Sequence, residues 1–127
     1  MITGFAFTKL HVQDVAKLER FYCGCLGFEV AARLDLDEHS GNVEELVLII
    51  PGGPTRLNLA HYRGRPASPT GEAVIGLTVT DLDATVAAMV AAGGTVTVAP
   101  MDMPEHKLRL AFVTDPEGHW IELLQYG

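Results

Sequence analysis

The chain has 127 residues, enough for one domain with a real core but not for two independent ones. Hydrophobic residues make up 48% of it, which excludes overall disorder, and a formal net charge of −7 (9 basic, 16 acidic) argues against nucleic acid and anionic membrane as partners. No apolar run is long enough to span a bilayer and MITGFAFTKL lacks the regions of a signal peptide, so a cytoplasmic location is expected.

Phe5 to Val12 alternates as a strand, with Phe5, Phe7, Lys9 and His11 on one face. Asp14 is a good N-cap, and Val15, Leu18, Tyr22 and Cys25 behind it have the spacing of a helical face that ends at Gly27. Cys23 and Cys25 lie two apart on this helix, so their side chains diverge and no disulfide is expected. Phe28 to Leu34 reads as the next strand, Asp35 to Gly41 as an acidic loop, Val43 to Ile50 as a strong strand, and Arg56 to Tyr62 as another after a Pro51–Pro54 turn. RGRPASPTG (Arg63 to Gly71) reads as a linker.

Beyond it the pattern starts again. Glu72 to Thr80 is a strand, Asp81 caps an Ala-rich helix stopped by Gly93-Gly94, and Thr95 to Val98 is a short strand. A loop from Ala99 to Glu105 leads to a strand from Lys107 to Thr114. Asp115-Pro116-Glu117-Gly118 is turn chemistry, and the strand behind it puts Ile121 and Leu123 on one face and Trp120, Glu122 and Leu124 on the other. Glu122 is a carboxylate between two large apolar neighbours. It either takes a partner, metal or ligand, or sits at a sheet edge and reaches water.

Both halves thus read strand, helix, strand, strand, strand, an α+β pattern. LHVQDV (Leu10 to Val15) matches LTVTDL (Leu77 to Leu82), and PGGPTRLNLAHY (Pro51 to Tyr62) matches DPEGHWIELLQY (Asp115 to Tyr126). In this register Phe7 pairs with Val74, Asp14 with Asp81, and Asn58 with Glu122. The expected organisation is one domain over residues 1–127. Its first module covers about residues 1–64, the linker about 63–71, and the second module about 72–127.

With HVQDVAKLERFYCGCLGFEV near its start and FVTDPEGHWIELLQ at its end, the duplicated unit resembles the vicinal oxygen chelate superfamily. That group includes glyoxalase I, extradiol dioxygenases, methylmalonyl-CoA epimerase, fosfomycin-resistance enzymes and bleomycin-resistance binding proteins. The resemblance implies two tandem βαβββ modules whose mixed sheets curl around a cleft, and a homodimer. Metal-dependent members hold a divalent ion there with ligands from the first and last strands of each module, usually two His and two Glu. Carried over, those positions fall on Phe7, Asn58, Val74 and Glu122. Two apolar side chains, an amide and one carboxylate are a poor transition-metal site, so no metal or other cofactor is expected.

Among the five histidines, His11 shares the Phe7 face but stands four residues along, roughly 13 Å at strand rise, and cannot substitute there. His61 and His119 have the opposite parity from Asn58 and Glu122, and His39 and His106 fall in or beside loops. A rearranged site using His11 and Glu122 is the disfavoured alternative. The expected ligand-binding residues are Phe7, Lys9, His11, Arg56, Asn58, Tyr62, Val74, Thr78, Trp120 and Glu122, with Met101 and Met103 on an adaptable loop.

Two functions of different class follow. One is a metal-independent protein that binds and sequesters an aromatic natural product or antibiotic, as the resemblance to bleomycin-resistance proteins implies. The other is a lyase, isomerase, epimerase or dioxygenase-type enzyme with Glu122 as acid or base and His11 assisting, or with a divergent metal site.

Overall fold

The computed structural model describes residues 1–38, 41–67 and 73–127. The chain divides into two compact units, Met1–Ser68 and Pro69–Gly127. The first contains β1 (Thr8–His11), α1 (Val15–Leu26), β2 (Glu29–Glu38), β3 (Gly41–Ile49) and β4 (Arg56–Tyr62). The second contains β5 (Val74–Thr78), α2 (Leu82–Ala91), β6 (Thr95–Met103), a 3₁₀ turn at Pro104–His106, β7 (Leu108–Thr114) and β8 (Trp120–Tyr126). The sheets run β1-β4-β3-β2 and β5-β8-β7-β6, and in each the outermost first strand is parallel to its neighbour while the other pairings are antiparallel. The fold is therefore α+β, a tandem pair of βαβββ units.

Caps and turns follow from local chemistry. The Asp14 side chain accepts a hydrogen bond from the Lys17 amide at 3.0 Å and Asp81 does the same for Ala84, so each helix begins where its Asp meets otherwise unpaired N–H groups. Gly27 closes α1 in the left-handed region at φ 78°. Before β8, Asp115 Oδ1 accepts from the amides of Glu117 and His119 (2.9 and 3.0 Å), and its Oδ2 lies 2.7 Å from His119 Nδ1. Asp115 is 2% exposed, so this turn is an internal fixture that aims β8.

One face of each sheet is closed by its helix. In the first unit Leu10, Leu46, Leu48, Leu57 and Leu59 pack under Val15, Leu18, Phe21 and Tyr22, with Tyr22 in edge contacts to Phe21 and Phe28. In the second, Ala111, Val113, Ile121 and Leu123 meet Leu82, Val86 and Met89. Each large side chain so buried contributes about 1.5–3 kcal/mol of hydrophobic stabilisation, and the parity of the strands commits the alternate residues to the opposite face.

The structure corrects several expectations. Asp35–Glu38 belongs to β2 rather than to a loop, paired in register with Asn42–Glu44 and Gly41 of β3. β2 is an edge strand, where acidic side chains stay solvated, and Arg63 binds the Asp35 carboxylate at 2.9 and 3.0 Å. That ion pair ties Arg63, at the start of the expected linker, to the sheet. Residues 99–103 likewise continue β6, so Met101 and Met103 are strand residues opposite Leu110 and Leu108, not a loop. Pro100 is accommodated because β6 is an edge strand with register shifts on either side of Val98. β1 starts at Thr8, leaving Phe7 just outside it and 44% exposed. β8 lies between β5 and β7, which removes the sheet-edge reading of Glu122. His39 and residues 68–72, which hold part of the expected linker and the start of the expected Glu72 strand, lie outside the described residues.

Gly94 sits where α2 hands over to β6. A Cβ there would stand 2.9 Å from the carbonyl oxygens of both Met89 and Thr114 and 3.1 Å from Val113. Two of these obstacles are backbone and cannot swing aside, so Gly94→Ala is expected to cost about 2 kcal/mol in urea unfolding. An unchanged midpoint would show that the helix–strand junction is looser than described.

Candidate functional site

On the sheet face away from α1, the register places Lys9, Asn58 and Val47 side by side on β1, β4 and β3, with His11, Ala60 and Glu45 as the next row. Glu45 and Asn58 are 4% and 5% exposed. The Asn58 amide donates from Nδ2 to Glu45 Oε2 at 2.7 Å, and Lys9 Nζ lies 3.1 Å from Oε1. Oε1 accepts no well-aligned hydrogen bond, so the attraction to Lys9 is chiefly Coulombic. Asn58 Oδ1 is buried with no hydrogen-bond partner among the described residues. Lys9 Nζ also stands 5.4 Å from the centroid of the Phe7 ring.

Glu45 is the residue that the sequence reading missed. It shares parity with the apolar Val43 and Val47 on either side of it, the same signal that singled out Glu122. Beyond it on this face, His11 packs on Tyr62 with ring centroids 4.8 Å apart, and the Arg65 guanidinium stands 4.4 Å above Tyr62. His61 points the other way, its Nδ1 3.1 Å from the Val12 carbonyl oxygen. Arg56, at the start of β4, is exposed.

The corresponding face of the second unit is built differently. Gly76, Glu122 and Phe112 form the row equivalent to Lys9, Asn58 and Val47, and Thr78, Leu124, Leu110 and Met101 form the next. Val74 is 48% and Met101 43% exposed, Thr78 is exposed, and Glu122, Trp120 and Met103 are half-buried. Trp120 meets Phe112 edge-on with centroids 5.9 Å apart. His119 is held by Asp115, and His106 is exposed in the 3₁₀ turn.

Two recesses in the first unit, of about 190 and 20 Å³, are smaller than the roughly 300 Å³ at which small-molecule sites begin. The thiols are no rival site. Burial raises the pKa of both Cys23 and Cys25, which suppresses the reactive thiolate, and the Cys25 thiol donates to the Phe21 carbonyl oxygen at 3.0 Å.

A divalent ion does not fit this donor set. Phe7 and Val74 have no donor atom, Asn58 has only a neutral amide oxygen to offer, and the adjacent Glu45 carboxylate is already neutralised by an ammonium that would repel a second cation, which leaves Glu122 as the one anionic donor of the four family positions. Among the described residues no three His, Cys, Asp or Glu side chains gather as a metal would require.

Lys9 keeps Glu45 from being a buried, uncompensated charge. Lys9→Met should therefore lower stability by about 2–3 kcal/mol, somewhat less than breaking a wholly buried pair because Lys9 is partly exposed. Adding Glu45→Gln, which removes the stranded charge, should restore stability to within about 1 kcal/mol of the starting protein. Urea denaturation of the double-mutant cycle checks this, and independent, additive losses would break the assignment.

The chain matches the model of the Glyoxalase/Bleomycin resistance protein/Dioxygenase superfamily over residues 4–123. A probable lactoylglutathione lyase of Vibrio parahaemolyticus is 31% identical over 123 residues, with 93% of this chain and 87% of that protein covered. A glyoxalase family protein from Bacillus cereus shares the fold at a TM-score of 0.87 and 18% identity, with 100% of this chain and 97% of that one covered. A member of the glyoxalase/bleomycin resistance protein/dioxygenase superfamily from Sphaerobacter thermophilus aligns at a TM-score of 0.73 and 26% identity, covering 98% of both chains. Repeat, fold and family model coincide over nearly the whole length, and the chain belongs to the Glyoxalase/Bleomycin resistance protein/Dioxygenase superfamily.

Proposed function

We propose that this chain is a metal-independent binding protein that sequesters a small, flat, largely apolar organic molecule such as an aromatic natural product or antibiotic. The observation that carries the reading is the state of Asn58. At a position where metal-dependent relatives would place a ligand, this chain has an amide bonded to Glu45, whose charge Lys9 cancels. The first unit thereby presents an internally neutralised face. Phe7 and His11 supply ring surface on it, with the buried Tyr62 packed against His11. Arg56 is a polar point at the start of β4 in the first unit; Trp120, Phe112, Val74 and Met101 supply apolar surface on the second unit, with Thr78 as its polar point.

A second reading has support from relatives. Proteins about 30% identical to this chain are named probable lactoylglutathione lyases, and Glu122 is a half-buried carboxylate able to take or give a proton. In that case Glu122 is the acid or base and His11, its ring tilted 58° against Tyr62, is the assisting group.

Metal content tests the metal-independence of the first reading, and turnover lost in Glu122→Gln tests the second. Protein purified without a tag is expected to carry no stoichiometric divalent ion, and chelation should leave its melting temperature unchanged. Bound nickel or zinc at one per chain, lost in Glu122→Ala, would return the protein to metal-dependent chemistry. A homodimer is also part of the proposed reading. Sedimentation of a monomer at working concentration would remove it.

A further inference from the structure

A carboxylate drawn away from water needs a counter-charge or several donors. Two carboxylates of this chain are met in this way. Glu45 has Lys9 and Asn58, and Asp115 has two backbone amides and His119. Glu122 does not follow them. It is half-buried, so water still reaches it, and among the described residues no cation or hydrogen-bond donor is paired with its carboxylate.

The internal repeat shows what is missing. In the first unit Lys9 stands beside Asn58 in the parallel register, and in the second the equivalent neighbour of Glu122 is Gly76. The chain has glycine where its own duplicate carries an ammonium. A Cβ built on Gly76 meets nothing within 4 Å, so the position beside Glu122 is uncrowded. On the other side of Glu122 lies Phe112, and two residues along the strand lies Trp120, their rings 66° apart at 5.9 Å. A carboxylate beside open space and two aromatic rings can hold a cation with an apolar body by charge pairing together with ring–cation attraction. The net charge of −7 favours encounter with cations.

We propose that Glu122 is the counter-ion for an organic monocation, a protonated amine on an aromatic body. The ligand's ammonium lies over Gly76, doing for the second unit what Lys9 does for the first, and its apolar body lies against Trp120 and Phe112. This rests on the binding reading above and names the ligand class. No bond is made or broken.

Trp120 is the single tryptophan, so its emission reports directly on the site. Phenethylammonium, neutral 2-phenylethanol and anionic 3-phenylpropionate serve as probes at low ionic strength. The ammonium should change Trp120 emission saturably and bind about tenfold or more tighter than the alcohol, with the carboxylate weakest. Glu122→Gln and Gly76→Lys should each remove that preference. Gly76→Ala, whose added methyl meets nothing within 4 Å and leaves that space largely open, should retain it, and circular dichroism confirms that each variant folds. Equal binding of alcohol and ammonium, an unaffected Glu122→Gln variant, or no saturable response to the ammonium would overturn the proposal. Aromatic binding without a charge preference leaves the binding protein standing and removes only this inference. Stoichiometric nickel held through Glu122 removes both.

Discussion

In a β-strand, a slip of one residue sends every side chain to the other face, so the parallel registers of β1 on β4 and of β5 on β8 decide which groups can meet. Thr8 opposite Leu57 and Val74 opposite Trp120 are the first pairs of these registers. They commit Leu10, Leu57 and Leu59, and likewise Ile121 and Leu123, to the helix-covered cores. The same commitment turns Lys9, Asn58 and Glu122 to the opposite faces. Apolar burial under α1 and α2 therefore holds the polar faces in place, although none of their residues contributes to those cores.

The two faces show how a duplicated unit diverges. Equivalent rows read Lys9, Asn58, Val47 and Gly76, Glu122, Phe112. In the first, the carboxylate has moved to Glu45 on the inner antiparallel strand and a lysine neutralises it. In the second, the carboxylate stands on the strand after the Asp115 turn, and the lysine position is glycine. One unit is electrostatically closed and the other open, on closely similar backbones. Such a difference changes what a family member binds while leaving its fold intact.

Ion pairs elsewhere have a different weight. Arg33 with Glu19, Arg63 with Asp35, and Arg109 with Asp83 and Asp102 hold their carboxylates or guanidiniums at the surface. The guanidinium partners lower the pKa of Glu19, Asp35 and Asp83 through hydrogen bonding. Solvent screens these pairs, so each contributes little to stability. In the Lys9–Glu45–Asn58 group the carboxylate and amide are buried, which is why it bears on stability more than the surface pairs do.

What the sequence determined by itself is local or periodic. Asp14 and Asp81 as caps, Gly27 as a stop, the Asp115 turn and the βαβββ repeat all depend on side-chain chemistry within a few residues or on repeated pattern. Parity also placed Glu122 between Trp120 and Leu124, and the four family positions were legible as Phe7, Asn58, Val74 and Glu122. Strand lengths were not. Asp35–Glu38 and Pro100 disfavour strand locally, and only pairing with β3 and β7 at the sheet edges overrides that preference. Tertiary structure alone decided the partners of the buried charges. Glu45, Lys9 and Asn58 are brought together by sheet register between strands far apart in sequence, and no spacing rule along one strand encodes such a meeting.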